Sequence, residues 1–168
     1  FTKDGWYISG DIGELIEGTY LKIIDRKKEM FALSSGKEVS PQFIENAIKI
    51  SNFIENVFAV GDGQDYVSVI IQPNWQTLNN WCKIKQLNIK SREEIIKTTA
   101  VQDILKQEIF KSNQMLKEHE KVKAFKLITD TWKIDTDELT PTLKLKRKKL
   151  YSKYQYLIKQ IYTTEKII

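Results

Sequence analysis

Residues 54–73 read IENVFAVGDGQDYVSVIIQP. Two runs rich in Val, Ile and Phe, 54–61 and 66–72, are joined by the turn Gly-Asp-Gly-Gln-Asp. Strand-forming residues on both sides of a glycine-rich turn are typical of a β-hairpin. Proline lacks the N–H that a strand ladder needs, so we expect the pairing to end at Pro73. The stretch predicts two antiparallel strands.

The residues before this hairpin predict a helix and a second hairpin. Ser40 followed by Pro41 is a helix start, with serine at the N-cap and proline at the first helical position. Residues 11–25 alternate around a turn and predict another β-hairpin, 26–33 continue extended, and 34–37 form a polar loop. The apolar side chains after Pro41 share one helical face: Phe43, Ile44, Ala47 and Ile48.

The residues after the central hairpin are mostly helical. Residues 74–85 predict one helix, and Ser91 with Glu94 forms a capping box before an apolar-periodic run that extends to Leu116. A strand over 123–129, a polar loop over 135–142 and a basic helix from Lys146 onward follow. Strands and helices do not alternate in strict βαβ units. The fold class is therefore predicted as α+β, a small mixed sheet with flanking helices.

The composition excludes several classes of protein. The 168 residues are 41% hydrophobic and 11% aromatic, which is enough for a packed core. A single cysteine, Cys82, excludes an internal disulfide and a CxxC site, and a single histidine, His119, argues against a multi-histidine metal centre. The longest apolar runs are far shorter than a membrane span. No secretory leader is visible, so we expect an intracellular protein. Because the chain opens at Phe1 inside a strand-and-turn region, we expect a fragment.

Positive charge is concentrated at the end of the chain. The chain carries 27 Lys+Arg and 22 Asp+Glu, but residues 144–168 hold eight basic residues and one acidic residue. The first 143 residues are therefore slightly acidic. A basic cluster of this kind favours an anionic partner, such as a phosphate, a nucleotide, a nucleic acid or a membrane surface.

Three short segments stand out as candidates for function. Residues 5–13, GWYISGDIG, place three glycines around Asp11. Residues 23–29, IIDRKKE, precede the loop 34–41, SSGKEVSP, and residues 139–147 read LTPTLKLKR. Each segment is a weak signal alone, but their order and separations together are specific.

These segments resemble the late motifs of the adenylate-forming superfamily, and most closely those of the long-chain fatty acyl-CoA synthetases. The resemblance covers essentially the whole chain but only the C-terminal part of such an enzyme. It implies that residues 1–25 are the tail of a large N-terminal domain and that residues 26–168 are a mobile C-terminal lid. The acyl pocket and the phosphate-gripping loop belong to the large domain, so we expect the chain alone to be inactive.

The resemblance also implies a reaction and its cofactors. The family activates a fatty acid with ATP and Mg²⁺ to an acyl-adenylate, and then transfers the acyl group to the thiol of coenzyme A. Lys144 matches the catalytic lysine, which neutralises charge between the carboxylate and the α-phosphate. Asp11 matches the acid that accepts hydrogen bonds from the ribose hydroxyls, and Arg26 matches a residue near the ribose or phosphate. No metal ligands are expected in this chain.

The resemblance further implies a rotation between two lid orientations. Asp25 matches the hinge, so it needs freedom to turn, and Lys144 needs to be exposed. Ser35 and Gly36 match the loop that lines the coenzyme A channel in the second orientation. The family often places a lysine where this chain has Ala32, which leaves a charged role at that position open.

Two alternatives remain open. The chain is also compatible with another superfamily branch, such as a shorter-chain acyl-CoA ligase or the adenylation unit of a peptide synthetase. A different class is a basic module that uses residues 144–153 to bind RNA or an anionic membrane. The missing aromatic–basic interleaving on the predicted strands argues against an RRM-like RNA-binding domain, and we expect no nucleic-acid partner. We expect a cytoplasmic protein or one peripheral to an intracellular membrane, with residues 146–149 exposed or touching coenzyme A phosphates.

Overall fold

The computed structural model describes residues 1–87, 89 and 91–164. Within them lie seven strands, five α-helices and one 3-10 helix. The strands are β1 Asp11–Ile16, β2 Tyr20–Arg26, β3 Phe31–Ala32, β4 Glu38–Val39, β5 Ile54–Val60, β6 Val67–Pro73 and β7 Val122–Leu127. The helices are α1 Pro41–Ile48, α2 Trp75–Ile84, α3 Arg92–Lys97, α4 Thr99–Asn113 and α5 Arg147–Thr164, with the 3-10 turn at Lys27–Glu29.

A three-stranded mixed sheet, ordered β5-β6-β7, forms the centre of the fold. β5 and β6 are antiparallel, with Val57 opposite Ile71, as the hairpin pattern predicts. β6 and β7 are parallel, with Val69 opposite Phe125, and helices α2, α3 and α4 make the crossover between them. The structure therefore contains one parallel crossover that the order of elements in the sequence did not indicate. The predicted α+β class, with a small mixed sheet and flanking helices, is confirmed.

Apolar side chains fill both faces of this sheet. On one face, α1 and α4 pack on the sheet through residues such as Ile44 and Leu105. On the other face, α5 packs through Leu150 and Ile161, which contact a cluster that includes Phe58. Burial of each such side chain stabilises the fold by about 1.5–3 kcal/mol relative to leaving it in water. The core therefore holds α5, and with it the residues just before α5, against the sheet.

Both helix starts that were predicted from capping residues are observed, but two other local predictions differ from the structure. The Ser40 hydroxyl accepts a hydrogen bond from the Phe43 N–H, and the Ser91 hydroxyl accepts one from the Glu94 N–H. The predicted apolar-periodic run to Leu116 is divided between two helices, because extended backbone at Thr98 separates α3 from α4. The predicted extended segment 26–33 is interrupted by the 3-10 turn at Lys27–Glu29.

The β1–β2 hairpin protrudes from this core. Its strands pair antiparallel as predicted, with Leu15 opposite Leu21, but most of their side chains lie in solvent. In the part of the chain that the structure describes, no helix combines the length and the apolar character that crossing a bilayer requires.

Candidate active site

Lys144 lies at the tip of a small hairpin, residues 138–146, which we call the lysine hairpin. Leu139 and Leu145 form an antiparallel bridge, and the Lys146 N–H donates to the Glu138 carbonyl at 2.8 Å. At the tip, the Thr140 N–H donates to the Lys144 carbonyl at 2.8 Å, and the Lys144 N–H donates to the Thr140 hydroxyl at 3.0 Å. The tip is therefore closed by backbone contacts that leave the Lys144 side chain free.

The closure of the tip forces an unusual backbone angle next to Lys144. Leu143 has φ 60°, in the left-handed region that residues with a Cβ adopt rarely. Its N–H donates to the Thr140 carbonyl at 2.8 Å, which holds this conformation. Strained backbone positions persist only where neighbouring contacts fix them. The conformation of the tip is therefore fixed by its hydrogen bonds.

Lys144 differs from the basic residues around it. Its side chain is exposed and has no hydrogen bond or ion pair within the described residues. Lys146 pairs with Asp137, and Lys153 pairs with Glu138 and Asp130. The cluster that looks uniform in sequence is therefore divided, and the unpaired ammonium of Lys144 is available to a ligand.

Arg147 is the most strongly paired member of the cluster. Its guanidinium donates to both carboxylate oxygens of Glu45, at 2.9 and 2.7 Å, and to Glu29 at 3.2 Å. Glu45 also accepts the Ala59 N–H at 2.9 Å. Burial raises the pKa of the Glu45 carboxyl, and Arg147 acts in the opposite direction. Residues 146–149 were expected to be exposed or to touch coenzyme A phosphates; Arg147 is not exposed, because its side chain is only 17% accessible, and its contact with phosphates stays a prediction.

Lys144 and Arg147 line one groove with a volume of about 280 Å³. Glu29, Glu45 and Lys49 also line it. Both of these carboxylates are engaged by Arg147, so Lys144 and Lys49 leave the groove with an excess of positive charge. A groove of this kind suits an anionic ligand.

Asp11 and Arg26 lie side by side at the open end of the β1–β2 hairpin. Arg26 Nε is 3.1 Å from Asp11 Oδ1, and the two residues are direct cross-strand partners. Arg26 remains mostly exposed. The structure therefore brings together the two residues predicted to contact the nucleotide, and each has polar atoms open to solvent.

Asp25, the predicted hinge residue, is buried and its carboxylate accepts three hydrogen bonds. It is the last but one residue of β2 and is 2% exposed. Its carboxylate accepts the Ser40 hydroxyl at 2.6 Å, the Gln42 N–H at 3.2 Å and the Arg26 N–H at 2.7 Å. The side chain is thus tied to the start of α1, so a rotation about this residue has to break hydrogen bonds. The hinge role stays a prediction.

Ser35 and Gly36 are exposed in the predicted polar loop. Gly36 has φ 77°, and its N–H donates to the Leu33 carbonyl at 2.8 Å, which makes a tight turn. The groove of about 190 Å³ beside this loop is lined by Ser35 and by basic side chains, including Lys37 and Lys121. Neither loop residue lines the groove that contains Lys144.

The predicted site residues therefore occupy three separate places: the hairpin end, the loop and the lysine hairpin. Sequence reasoning missed the Glu45–Arg147 pair, because nothing in the local pattern relates residues 102 positions apart. Within the described residues, no group of three or more His, Cys, Asp or Glu side chains could hold a metal ion.

Most of the chain matches a known protein family. The family described as "AMP-binding enzyme C-terminal domain" matches residues 28–166. The chain belongs to this family. The matched region includes the glycine loop and the lysine hairpin, so the predicted resemblance to the C-terminal region of adenylate-forming enzymes is confirmed.

Curated relatives lie within the predicted branch. The chain is 34% identical to the human protein "Long-chain-fatty-acid--CoA ligase 1" over 168 residues, which is 98% of this chain and 24% of that protein. It is 31% identical over 163 residues to the Arabidopsis thaliana protein "Long chain acyl-CoA synthetase 1", covering 95% of this chain and 24% of that protein. The chain thus spans about a quarter of the length of these relatives.

Solved structures share the fold. The adenylation domain of a carboxylate reductase from Mycobacterium chelonae superimposes with a TM-score of 0.78 at 21% identity, over 96% of this chain and 24% of that domain. The corresponding domain from Segniliparus rugosus, solved with AMP and a co-purified carboxylic acid, also gives 0.78 at 22% identity. It covers 96% of this chain and 24% of that one. At this identity the likeness shows the architecture alone.

Proposed function

We propose that this chain is the C-terminal lid of an AMP-forming long-chain fatty acid–CoA ligase and acts together with a large N-terminal domain. The observation that carries the proposal is Lys144, an exposed and unpaired ammonium at the tip of an anchored hairpin. The names of the relatives support the substrate class, and their greater length supports a missing large domain.

The proposed chemistry begins with adenylation. Lys144 supplies positive charge between the fatty acid carboxylate and the α-phosphate of ATP, where negative charge accumulates in the transition state. Asp11 accepts hydrogen bonds from the ribose, and Arg26 lies beside it for the ribose or phosphate. Mg²⁺ is expected to arrive with ATP and to neutralise phosphate charge.

The proposed second step needs a rotation of the lid near Asp25. Residues 1–25 stay with the large domain, and residues 26–168 move. Lys144 then leaves the cleft, and Ser35 and Gly36 line the channel for the pantetheine arm of coenzyme A. A glycine at this point lets backbone approach the ligand closely. The separation of the loop and the lysine hairpin into different grooves supports two orientations.

The alternative of a basic binding module loses support. Lys146, Arg147 and Lys153 are all engaged by acidic side chains, which leaves fewer free cations than the sequence suggests. Neutralised cations contribute little to phosphate binding.

The test separates the two half-reactions in the longer protein that joins this chain to its large domain. Lys144→Ala should lower pyrophosphate release with palmitate and ATP by at least about 100-fold. It should leave transfer from preformed palmitoyl-adenylate to coenzyme A nearly unchanged. Lys159→Ala, which removes an exposed lysine of α5 that has no proposed role, is the matched control. Equal loss in both half-reactions would contradict the role of Lys144.

Two further measurements define the substrate class and the need for the large domain. A profile over acetate, octanoate, palmitate and amino acids should peak at the long-chain acids; a peak elsewhere would favour another superfamily branch. The 168-residue chain alone should form no acyl-CoA. Turnover by the chain alone would disprove its role as a lid.

A further inference from the structure

The two arms of the lysine hairpin are anchored in different ways. The outgoing arm runs directly into α5, where Arg147 is locked to Glu45. The incoming arm follows residues 133–137, which contain no helix or strand. The incoming arm is instead held by the Glu138 and Leu139 N–H groups, which both donate to the Lys133 carbonyl at 3.2 Å, and by side-chain contacts.

Glu138 provides those contacts. Its side chain is 3% exposed, and it accepts hydrogen bonds from the Lys133 N–H at 3.2 Å, from the Thr136 hydroxyl and from Lys153 Nζ at 2.9 Å. Its own carbonyl accepts the Lys146 N–H at the base of the hairpin. Glu138 therefore joins the incoming arm, the outgoing arm and α5 at one point.

Lys153 extends this point of attachment into the core. It lies 2.8 Å from Asp130 Oδ2, which also accepts the Tyr154 hydroxyl at 2.9 Å. Tyr154 in turn accepts the Trp132 indole N–H at 2.8 Å and lies where α5 departs from helical geometry. The network fixes the base of the hairpin to the buried face of α5.

The Glu138 carboxyl is ionised at neutral pH. Burial alone would raise the pKa of Glu138, but the hydrogen bonds from Thr136 and Lys153 lower that pKa to about 2. Glu138 is therefore ionised over the physiological range, and its attraction to the Lys153 ammonium persists. A pair whose carboxylate is buried and accepts several hydrogen bonds holds its geometry more firmly than a fully exposed pair.

We propose that Glu138, held by Lys153, is a positioning residue for Lys144. The proposal rests on the adenylation role proposed above for Lys144. The tip at Thr140 is closed by its own hydrogen bonds, so the direction of the whole tip is set at the base, where Glu138 lies. A displacement of about 1 Å in a catalytic group can cost about 100-fold in rate. Glu138, at the foot of the lysine hairpin, therefore affects adenylation without touching the substrate.

The kinetic test uses the longer protein with its large domain and compares Glu138→Gln, Lys153→Met and Lys153→Arg. Glu138→Gln and Lys153→Met should lower kcat for adenylation by about 10- to 100-fold, with little change in the KM for ATP. Lys153→Arg should keep most activity, because arginine also reaches two carboxylates. The matched control is Lys159→Met, which removes an exposed lysine from the same helix and should change nothing.

The same substitutions are then placed in a Lys144→Ala background. A residue that acts through Lys144 loses its effect there, so the double variants should adenylate no more slowly than Lys144→Ala alone. A further loss in that background, or an equal loss in thioester formation, would overturn the positioning role. If Lys144→Ala itself leaves adenylation intact, the proposed function fails instead.

Amide hydrogen exchange gives a readout that does not depend on catalysis. In Glu138→Gln, the amides of Leu143 and Lys144 should exchange at least about 10-fold faster than in the unaltered protein, whereas amides of the central sheet should be unchanged. Protection at the tip that stays as it was, or a loss of protection throughout the sheet, would overturn the proposal even if the kinetic variants fold poorly.

Discussion

The β1–β2 hairpin and the body of the chain, residues 27–164, are built from similar residues but hold together differently. The hairpin has a regular ladder and apolar side chains, yet Leu15 is 66% exposed and Leu21 67%. In the body, side chains of the same type, such as Leu105, are fully buried. Apolar surface that stays open beside a packed core is typical of a surface that another domain covers. The comparison supports the proposed assignment of residues 1–25 to the tail of a large domain.

The largest expected difference concerns ion pairs. Arg147→Met leaves Glu45 buried without its partner and should lower the free energy of unfolding by about 3–5 kcal/mol. The matched change in the hairpin, Arg26→Met, removes a mostly exposed pair with Asp11 and should cost at most about 1 kcal/mol. Urea denaturation of the 168-residue chain measures both.

A second substitution sharpens this prediction. Glu45→Met together with Arg147→Met should recover most of the loss, because no buried charge remains; the residual cost comes from the Ala59 N–H, which loses its acceptor. If Arg147→Met and Arg26→Met cost the same, the distinction between the two pairs is wrong.

The next difference concerns apolar side chains. Leu105→Ala in α4 should cost about 2–5 kcal/mol, because it opens a cavity in a close-packed core. Leu21→Ala in β2 should change stability by less than about 0.5 kcal/mol in the chain alone, because its side chain is already in water. Thermal unfolding followed by circular dichroism tests the pair. A cost for Leu21→Ala comparable to that for Leu105→Ala would show that the hairpin is packed after all.

The junction between the two regions should show an intermediate effect. Asp25→Asn replaces one carboxylate oxygen by an amide that cannot accept from the Ser40 hydroxyl or the Gln42 N–H. We expect a loss of about 1–3 kcal/mol, measured by urea denaturation. Asp11→Asn, at the exposed hairpin end, is the control and should be nearly neutral. A neutral Asp25→Asn would show that the hydrogen bonds to α1 do not stabilise the junction.

The last prediction concerns the pH dependence that Glu138 gives to the stability of the body. The folded pKa of Glu138 is about 2, below the ordinary value of 4.5. Between these values the unfolded state binds more protons, so the stabilisation is complete above pH 4.5 and is lost as the pH falls towards 2. The loss is at most about 1.4 kcal/mol per pH unit.

The test is to measure the free energy of unfolding from pH 6 to pH 3 for the unaltered chain and for Glu138→Gln. The variant has no carboxyl at this position, so its stability should fall less steeply below pH 4.5. Parallel curves for the two proteins would mean that Glu138 is not held as described.

Local sequence predicted most of the elements because the signals involved are local. Ser40 before Pro41, the two glycine turns and the Ser91 cap each act through neighbouring backbone, and each forms where expected. The break at Thr98 was missed because the apolar periodicity of the sequence continues through it, whereas the backbone at Thr98 is extended and not helical. The 3-10 turn over Lys27–Glu29 was missed because no capping or glycine signal marks it.

For the site, the sequence by itself determined which residue types are present and in what order, including the motif that carries Lys144 and the match to the family. Only the tertiary structure decided which cations are free. The sequence does not show which of the cations Lys144, Arg147 and Lys153 are paired, but in the fold Glu45 and Glu138 reach two of them. Charge pairing depends on distances in space between residues far apart in the chain, and packing of α1 and α5 on the sheet sets those distances.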